Sequence, residues 1–323
     1  MVTASTPAEA PIIALVGPTA TGKTEVGIRL AEALDGEIIS ADSQAVYRGM
    51  DIGTAKPTTE ERTRIQFHLL DVADPDERFT VARFVDLAEV ALSDIRERQK
   101  QPLLVGGTGL YVKALLEGFG LTSTPADPDL RARLDAESAA HGAPALHRRL
   151  AEVDPTAASR IHPNDRIRVV RALEVFERTG EPMSAQHARD AEIRVRQPSI
   201  RFGLTAPREE LNERIDRRVD TMVLSGLVEE VQELLRRGYT SRNPPLRSLG
   251  YNEICAVLAG ETTLTAAIEE IKRNTRRFAK RQLTWFRADP EIHWIDVMHK
   301  SGEQVADEIL FHLKAPREGL VNS

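Results

Sequence analysis

The chain has 323 residues, 41% of them hydrophobic and 28% charged, enough to bury one large core or two smaller ones. Its formal net charge of −6 excludes a generally basic nucleic-acid-binding protein, so any contact with nucleic acid must come from local clusters of cations. No apolar run approaches the roughly 20 residues that span a bilayer, so no membrane partner is expected.

The single cysteine, Cys255, excludes an internal disulfide framework and suits a reducing cytoplasm, where the chain is expected to act. There is no C-x-x-C or H-E-x-x-H metal pattern. The N-terminal MVTASTPAEAP lacks the basic and apolar regions of a signal peptide. Residues 1–10 and 317–323 read as disordered tails.

Ile12 to Val16 is a short apolar run rich in β-branched residues, the pattern of a buried parallel strand. GPTATGKT follows, in which Gly17, Gly22, Lys23 and Thr24 satisfy the phosphate-loop pattern G-x-x-x-x-G-K-[ST]. Val26, Leu30 and Leu34 then recur at helical spacing. Strand, loop and helix in this order aim the loop's backbone N–H groups and a helix N-terminus at an anion; Lys23 adds charge and Thr24 a hydroxyl for Mg²⁺. The site is one for phosphate or pyrophosphate.

Glu37 to Ser40 reads as a second strand ending at Ala41-Asp42-Ser43, and FHLLDV (67–72) as a third. Val81 to Arg98 has a helical stripe, Pro102 to Val105 is a strand stopping at Gly106-Gly107-Thr108-Gly109, and Leu110 opens another helix. Strands alternating with helices predict an α/β fold: a P-loop NTPase-like parallel sheet flanked by helices. Ligands of such a sheet sit at the carboxyl ends of its strands. GPTATGKT, ADSQ and GGTGLY each follow a strand and are expected to converge on one crevice. TSTPADPD then introduces a stretch with helical patterns and no strand, and SIRFGLTA (199–206) returns to the sheet. This gives a core of 11–120 and 196–316, whose C-terminal part is helical, and an inserted all-helical domain of 121–195. In the helical part, 272–287 reads KRNTRRFAKRQLTWFR, with seven basic residues and no acid. Ile271, Phe278 and Trp285 recur at sevens there, which predicts that they are core and that only the cations face outward.

A nucleotide kinase usually carries an aspartate for Mg²⁺ at the end of an apolar strand. Here the strand at 102–105 ends in glycines and Thr108, and the acidic candidate is Asp42. Its spacing leaves three roles open: metal ligand, base toward a second substrate, or turn residue.

Taken together, GPTATGKT, ADSQAVYRGMDIGTAKP, GGTGLY, IHPNDRIRVVRALEV, SLGYNE and RQLTWFR, in order from about residue 12 to 288, resemble the bacterial tRNA dimethylallyltransferases. The resemblance implies transfer of a dimethylallyl group from dimethylallyl pyrophosphate to N6 of the adenine 3′ of the anticodon in tRNA, by a monomer using Mg²⁺. Pro18, Thr19, Ala20 and Thr21, with the loop's glycines, Lys23, Thr24 and Arg218, are then expected to hold pyrophosphate. Arg214 and Arg218 lie four apart on one helix face, and the resemblance favours Arg218. It makes Asp42 the general base holding the adenine amine, and Thr108 a hydrogen-bonding partner near the bridging oxygen. For tRNA it implies Asp42, Ser43, Gln44, Ala45 and Thr108, then Arg131, Arg166, Ile167, Arg168, Val169 and Val170, then Arg247, Ser248, Leu249, Gly250, Tyr251 and Asn252. Arg166, Arg168 and Arg171 cannot share one helix face, so one or two of them are expected to pair with acids.

Departures from the family pattern are small. DSQA stands where a second glutamine often follows, SLGY replaces the commoner AIGY, and the sequence has no zinc-finger extension of the eukaryotic kind. The rivals are a P-loop small-molecule or nucleotide kinase, a prenyltransferase of free adenosine nucleotides, and a non-catalytic RNA-binding module. A kinase leaves the basic helix and the helical insertion without a purpose. The module leaves GPTATGKT, Asp42 and Thr108 without one.

Overall fold

The structure is a computed structural model that describes residues 10–118, 124, 127–193 and 196–314. The expected tails fall outside the described residues except for residue 10. The chain divides into two compact units, Met1–Leu115 with Gln197–Ser323, and Leu116–Arg196.

The first unit is built on β1 (Ile12–Val16), α1 (Lys23–Ala33), β2 (Gly36–Ala41), α2 (Thr59–Arg64), β3 (Phe67–His68), α3 (Val81–Glu97) and β4 (Gln101–Gly106). It starts α4 (Gly109–Glu117), and after the second unit it resumes with β5 (Ser199–Thr205). The second unit contains α5 (Pro128–His141), α6 (Ala143–Val153), α7 (Pro155–Arg160), α8 (Arg166–Thr179) and α9 (Met183–Ile193). Beyond β5 come α10 (Arg208–Leu224), α11 (Leu227–Arg236), a 3₁₀ turn (Pro244–Arg247), α12 (Tyr251–Leu258), α13 (Leu264–Arg287), β6 (Ile292–Asp296) and α14 (Gly302–Lys314).

The strands form one parallel sheet in the order β3-β2-β4-β1-β5-β6. Every residue of β1 is buried, because helices cover both faces of a parallel sheet and leave its central strand no polar side. Ile13, Leu15, Ile28, Leu30, Phe202 and Ile309 pack together over one region of the sheet, bringing in α1 and α14. A second cluster joins Val46, Tyr47 and Met50 to Val219, Val231, Tyr251 and Ile271, seating the segment after β2 on α10 to α13.

Three local differences from the sequence reading have physical causes. The expected strand at 67–72 is only two residues long, since Leu69 and Asp71 take positive φ angles of 63° and 58° that end an extended run. The edge strand β6 and the following α14 carry no distinct signal in the sequence, because Ile292–Asp296 is short and only part of it is buried. The loop expected around RNPPLRSLGYNE contains a 3₁₀ turn and the start of α12.

In the second unit, Leu134, Leu146, Leu150, Val169, Val170 and Leu173 form the core. Asp127 caps α5, and Asp154 caps α7 while also accepting hydrogen bonds from the backbone and hydroxyl of Ser184 on α9.

Candidate active site

Strand order decides which loops meet. β4 lies between β2 and β1, and in register Gly106 stands opposite both Val16 and Ala41. The next residues along, Gly17, Gly107 and Asp42, therefore leave the sheet side by side. The three sequence blocks after these strands border one cavity of about 890 Å³.

Within the phosphate loop, the Pro18 carbonyl accepts hydrogen bonds from Thr21 Oγ1 (2.9 Å) and Lys23 Nζ (2.6 Å). Gly17, Pro18 and the buried Thr21 thus shape the loop, while Thr19, Ala20, Gly22, Lys23 and Thr24 line the cavity. Burial pushes the Lys23 ammonium down to about 7; the nearby Arg218 charge adds to this and Asp42 opposes it. Burial likewise lowers the Arg218 pKa, with Asp42 again opposing. Arg218 lines the cavity, whereas Arg214 on the same helix is held by Glu210 (2.8 Å) and the Val297 carbonyl (3.3 Å).

Asp42 Oδ1 accepts the backbone N–H groups of Gln44 (2.8 Å) and Ala45 (3.2 Å), so one oxygen closes a turn. Among the described residues Oδ2 accepts no hydrogen bond, and Asp42 lines the cavity. Thr108 is bound to the same turn twice. Its N–H donates to the Ala41 carbonyl (3.0 Å), and its Oγ1 accepts the Ser43 N–H (2.9 Å), leaving the hydroxyl proton to donate elsewhere. A phosphate loop, a carboxylate and a hydroxyl are thereby fixed at one edge, with Lys23 and Arg218 beside them. This arrangement can bind an anionic leaving group and accept a proton from a nucleophile next to it.

The family model described as IPP transferase matches residues 45–289, and that described as Isopentenyl transferase matches residues 10–73. The chain is 52% identical over 295 residues to a tRNA dimethylallyltransferase of Desulforudis audaxviator, covering 90% of this chain and 94% of the relative. The chain belongs to the IPP transferase family. A tRNA dimethylallyltransferase of Geobacter sulfurreducens is 48% identical over 285 residues, covering 88% of this chain and 91% of its own length. Among solved structures, the full-length tRNA isopentenylpyrophosphate transferase of Bacillus halodurans superimposes with a TM-score of 0.69 at 44% identity, over 94% of this chain and 95% of that one. A eukaryotic dimethylallyltransferase acting on tRNA gives a TM-score of 0.76 at 28% identity, over 94% of this chain and 80% of that one.

Other residues singled out by sequence occupy varied positions. Ser43, Gln44 and Ala45 line the cavity, and Gln44 Oε1 is buried without a hydrogen-bond partner among the described residues. Arg247, Ser248, Leu249, Gly250 and Asn252 line it as well. Arg247 Nε donates to the Ser241 carbonyl (2.7 Å) and Ser248 Oγ to the Pro245 carbonyl (2.6 Å). Tyr251 is 0% exposed, so its ring forms wall and core rather than a free RNA-contacting surface.

The basic helix corrects the expectation from sevens. Ile271 is buried, but Phe278 is 38% and Trp285 40% exposed. Seven residues fall about 20° short of two full helical turns, so the buried stripe drifts to Ile271, Thr275, Ala279, Gln282 and Phe286. Phe278 lines the cavity with Arg277 and Arg281, and the Arg281 guanidinium lies 5.7 Å from the Phe278 ring centroid. Several of the expected outward cations are paired instead: Lys272 with Asp220 (2.7 Å), Arg276 with Asp216 (2.6 Å) and Arg273 with Glu270 (3.3 Å). The acids that neutralise Lys272 and Arg276 sit on α10, which the sequence could not place beside α13.

In the helical unit, Arg131 grips Glu174 through two 2.8 Å hydrogen bonds, and Arg171 adds a third at 2.5 Å. Burial alone would raise the Glu174 pKa, but Arg131, the Asp127 amide and Arg171 hold it down at about 2. Arg166 pairs with Asp135 and Arg168 with Asp165, each at 3.4 Å, so all three arginines of this block have acidic partners rather than one or two. Val169 and Val170 are buried in that unit's core, which excludes a side-chain contact with RNA, whereas Ile167 is 80% exposed. Cys255 on α12 is partly buried and burial raises its thiol pKa, as in an unreactive cysteine.

Among the described residues no group of three or more His, Cys, Asp or Glu side chains is placed to hold a metal. A Mg²⁺ ion that arrives with a pyrophosphate needs little more, since it keeps waters and takes substrate oxygens plus one or two protein ligands. Thr24 at the cavity wall fits that requirement.

Proposed function

We propose that this cavity transfers the dimethylallyl group of dimethylallyl pyrophosphate to N6 of the adenine next to the anticodon of a tRNA, on its 3′ side. The observation that carries this reading is the shared edge of the phosphate loop, Thr108 and Asp42, which sets a leaving-group site beside a proton acceptor. The adenine nitrogen attacks the allylic carbon, the carbon–oxygen bond breaks, pyrophosphate departs and the amine proton passes to Asp42.

The loop amides, Lys23 and Arg218 stabilise the negative charge that grows on the leaving pyrophosphate. Thr108 donates its hydroxyl proton toward the bridging oxygen. Asp42 uses its turn-bound oxygen to hold position and the other to take the proton. Mg²⁺, held by Thr24 and the pyrophosphate, would supply further charge neutralisation. The adenine leaves the anticodon stack to reach Asp42, at a cost of a few kcal/mol. Phosphate contacts and base stacking at Arg277, Phe278, Arg281 and the 247–252 segment offset that cost. Action in the cytoplasm is in keeping with the single cysteine, which needs no oxidising compartment.

Incubation with labelled dimethylallyl pyrophosphate and total tRNA, followed by nucleoside analysis, tests the reading. Label on N6-modified adenosine is the expected result. Label confined to free nucleotides, or transfer of phosphate from ATP without prenylation, overturns it.

A further inference from the structure

The buried side chain of Gln282 on α13 makes two hydrogen bonds, each to a different loop of the active site. Its Oε1 accepts the Thr19 N–H of the phosphate loop, and its Nε2 donates to the Gly107 carbonyl after β4, both at 2.9 Å. The fit is close on the Gly107 side. A Cβ built on Gly107 would stand 2.3 Å from Gln282 Nε2, so only glycine admits this approach. One amide thus spans the gap between the loop that binds the leaving group and the loop that carries Thr108. Thr108 in turn holds the Asp42 turn through Ser43.

We infer that Gln282 is a positioning residue that sets the pyrophosphate site and the Thr108–Asp42 edge at their working separation. This rests on the reaction proposed above. The Thr19 amide is spent on Gln282, so the loop presents its remaining amides and the Thr19 side chain to the cavity in one fixed orientation. Transfer is sensitive to that separation, because a reacting pair held slightly out of line loses rate steeply. Gln282 does not itself line the cavity, so each substrate alone still meets its own side chains. Loss of the bridge is therefore expected in the chemical step more than in either affinity.

The chemistry of the bridge supplies a signature that a merely structural role lacks. The bridge needs one acceptor toward Thr19 and one donor toward Gly107. Glutamine has both, a protonated glutamic acid has both, an ionised glutamate has no donor, and methionine has no strong member of either kind. The test compares wild type, Gln282→Glu and Gln282→Met in single-turnover transfer from dimethylallyl pyrophosphate to an anticodon stem-loop RNA across pH 5 to 8. Thermal melts and separate affinities for pyrophosphate and RNA accompany it. The expected result is a transfer rate at least tenfold below wild type for Gln282→Met at every pH, with both affinities within about threefold. The rate of Gln282→Glu, taken relative to wild type at each pH, should climb as its carboxyl protonates. Three results overturn the inference: a wild-type rate in Gln282→Met; a loss in both variants that follows melting temperature alone with no pH-dependent recovery; or a loss carried by the affinities. Absence of transfer in the wild type itself would remove the proposed reaction and this inference together, which separates the two failures.

Discussion

The Tyr251 hydroxyl donates a 2.6 Å hydrogen bond to Glu230 Oε1, and the same carboxylate accepts the backbone N–H groups of Asp51 (2.8 Å), Ile52 (2.7 Å) and Gly53 (3.1 Å). The tyrosine ring also lies where a side chain on Gly53 would stand, 2.5 Å from a Cβ built there. α11 and α12 therefore fasten the segment that follows the Asp42 turn, and this segment forms part of the cavity wall.

Tyr251→Phe removes one hydrogen bond to a charged acceptor and leaves the ring in place. A loss of about 1.5–3 kcal/mol in stability is expected, with prenyl transfer nearly unchanged well below the melting temperature. Chemical denaturation and turnover of the same variant check this. A large loss of turnover at full stability would instead place the hydroxyl in the reaction.

The sequence made the parallel core and the phosphate loop legible because both are local: an apolar strand, a glycine-bounded loop and a helical stripe occupy adjacent residues. The convergence of GPTATGKT, ADSQ and GGTGLY followed from one topological rule. What could not be read was anything set by packing between distant elements. The Lys272 and Arg276 charges look free in the sequence, yet Asp220 and Asp216 on α10 neutralise them. Phe278 and Trp285 share a heptad with Ile271 but not a buried face. Gln282 becomes a signal only once the stripe is placed at Ile271, Thr275, Ala279, Gln282 and Phe286, where a buried amide asks for partners. Those partners, Thr19 and Gly107, lie 263 and 175 residues away in the chain.

Lys23 should take up a proton when the pyrophosphate ester binds. Burial and Arg218 push its pKa down to about 7, and a polyanion beside it favours the ammonium, so the pKa in the complex is higher than in the free protein. Above about pH 7 the free lysine is largely neutral, so binding absorbs protons and affinity falls as pH rises. Calorimetry with dimethylallyl pyrophosphate at pH 8, above the ester's own ionisation near 6, in buffers of different ionisation enthalpy measures the uptake. Lys23→Ala should abolish it and lower transfer steeply while tRNA binding persists. A binding enthalpy independent of buffer in the wild type would contradict this.

Binding of tRNA should weaken with salt despite the acidic chain, because the cations that reach the cavity are clustered. Each neutralised phosphate contributes about −0.7 to −0.9 to the slope of log K against log salt. Arg277→Gln and Arg281→Gln should each flatten the slope by about that amount, since neither arginine forms an ion pair among the described residues. Lys272→Gln and Arg276→Gln should change the slope less and lower stability instead, because they strip partners from Asp220 and Asp216. Equal slopes in all four variants would mean that this face of α13 does not meet RNA.

Asp42 combines a turn role and a chemical one, and the two can be separated by substitution. In Asp42→Asn the Oδ1 acceptor survives, so the bonds from Gln44 and Ala45 can persist and the turn is largely kept. What is lost is the capacity to take a proton from the adenine amine. The chemical step should fall by about 10²- to 10⁴-fold, with tRNA affinity much less affected. Asp42→Ala removes the turn bonds as well, and a further stability loss of about 0.5–2 kcal/mol is expected, as for a missing cap. Single-turnover transfer, RNA titration and thermal melts on both variants give the full comparison. If Asp42→Asn transfers the prenyl group at the wild-type rate while melting early, the carboxylate serves the turn alone and the base must be sought elsewhere along the cavity wall.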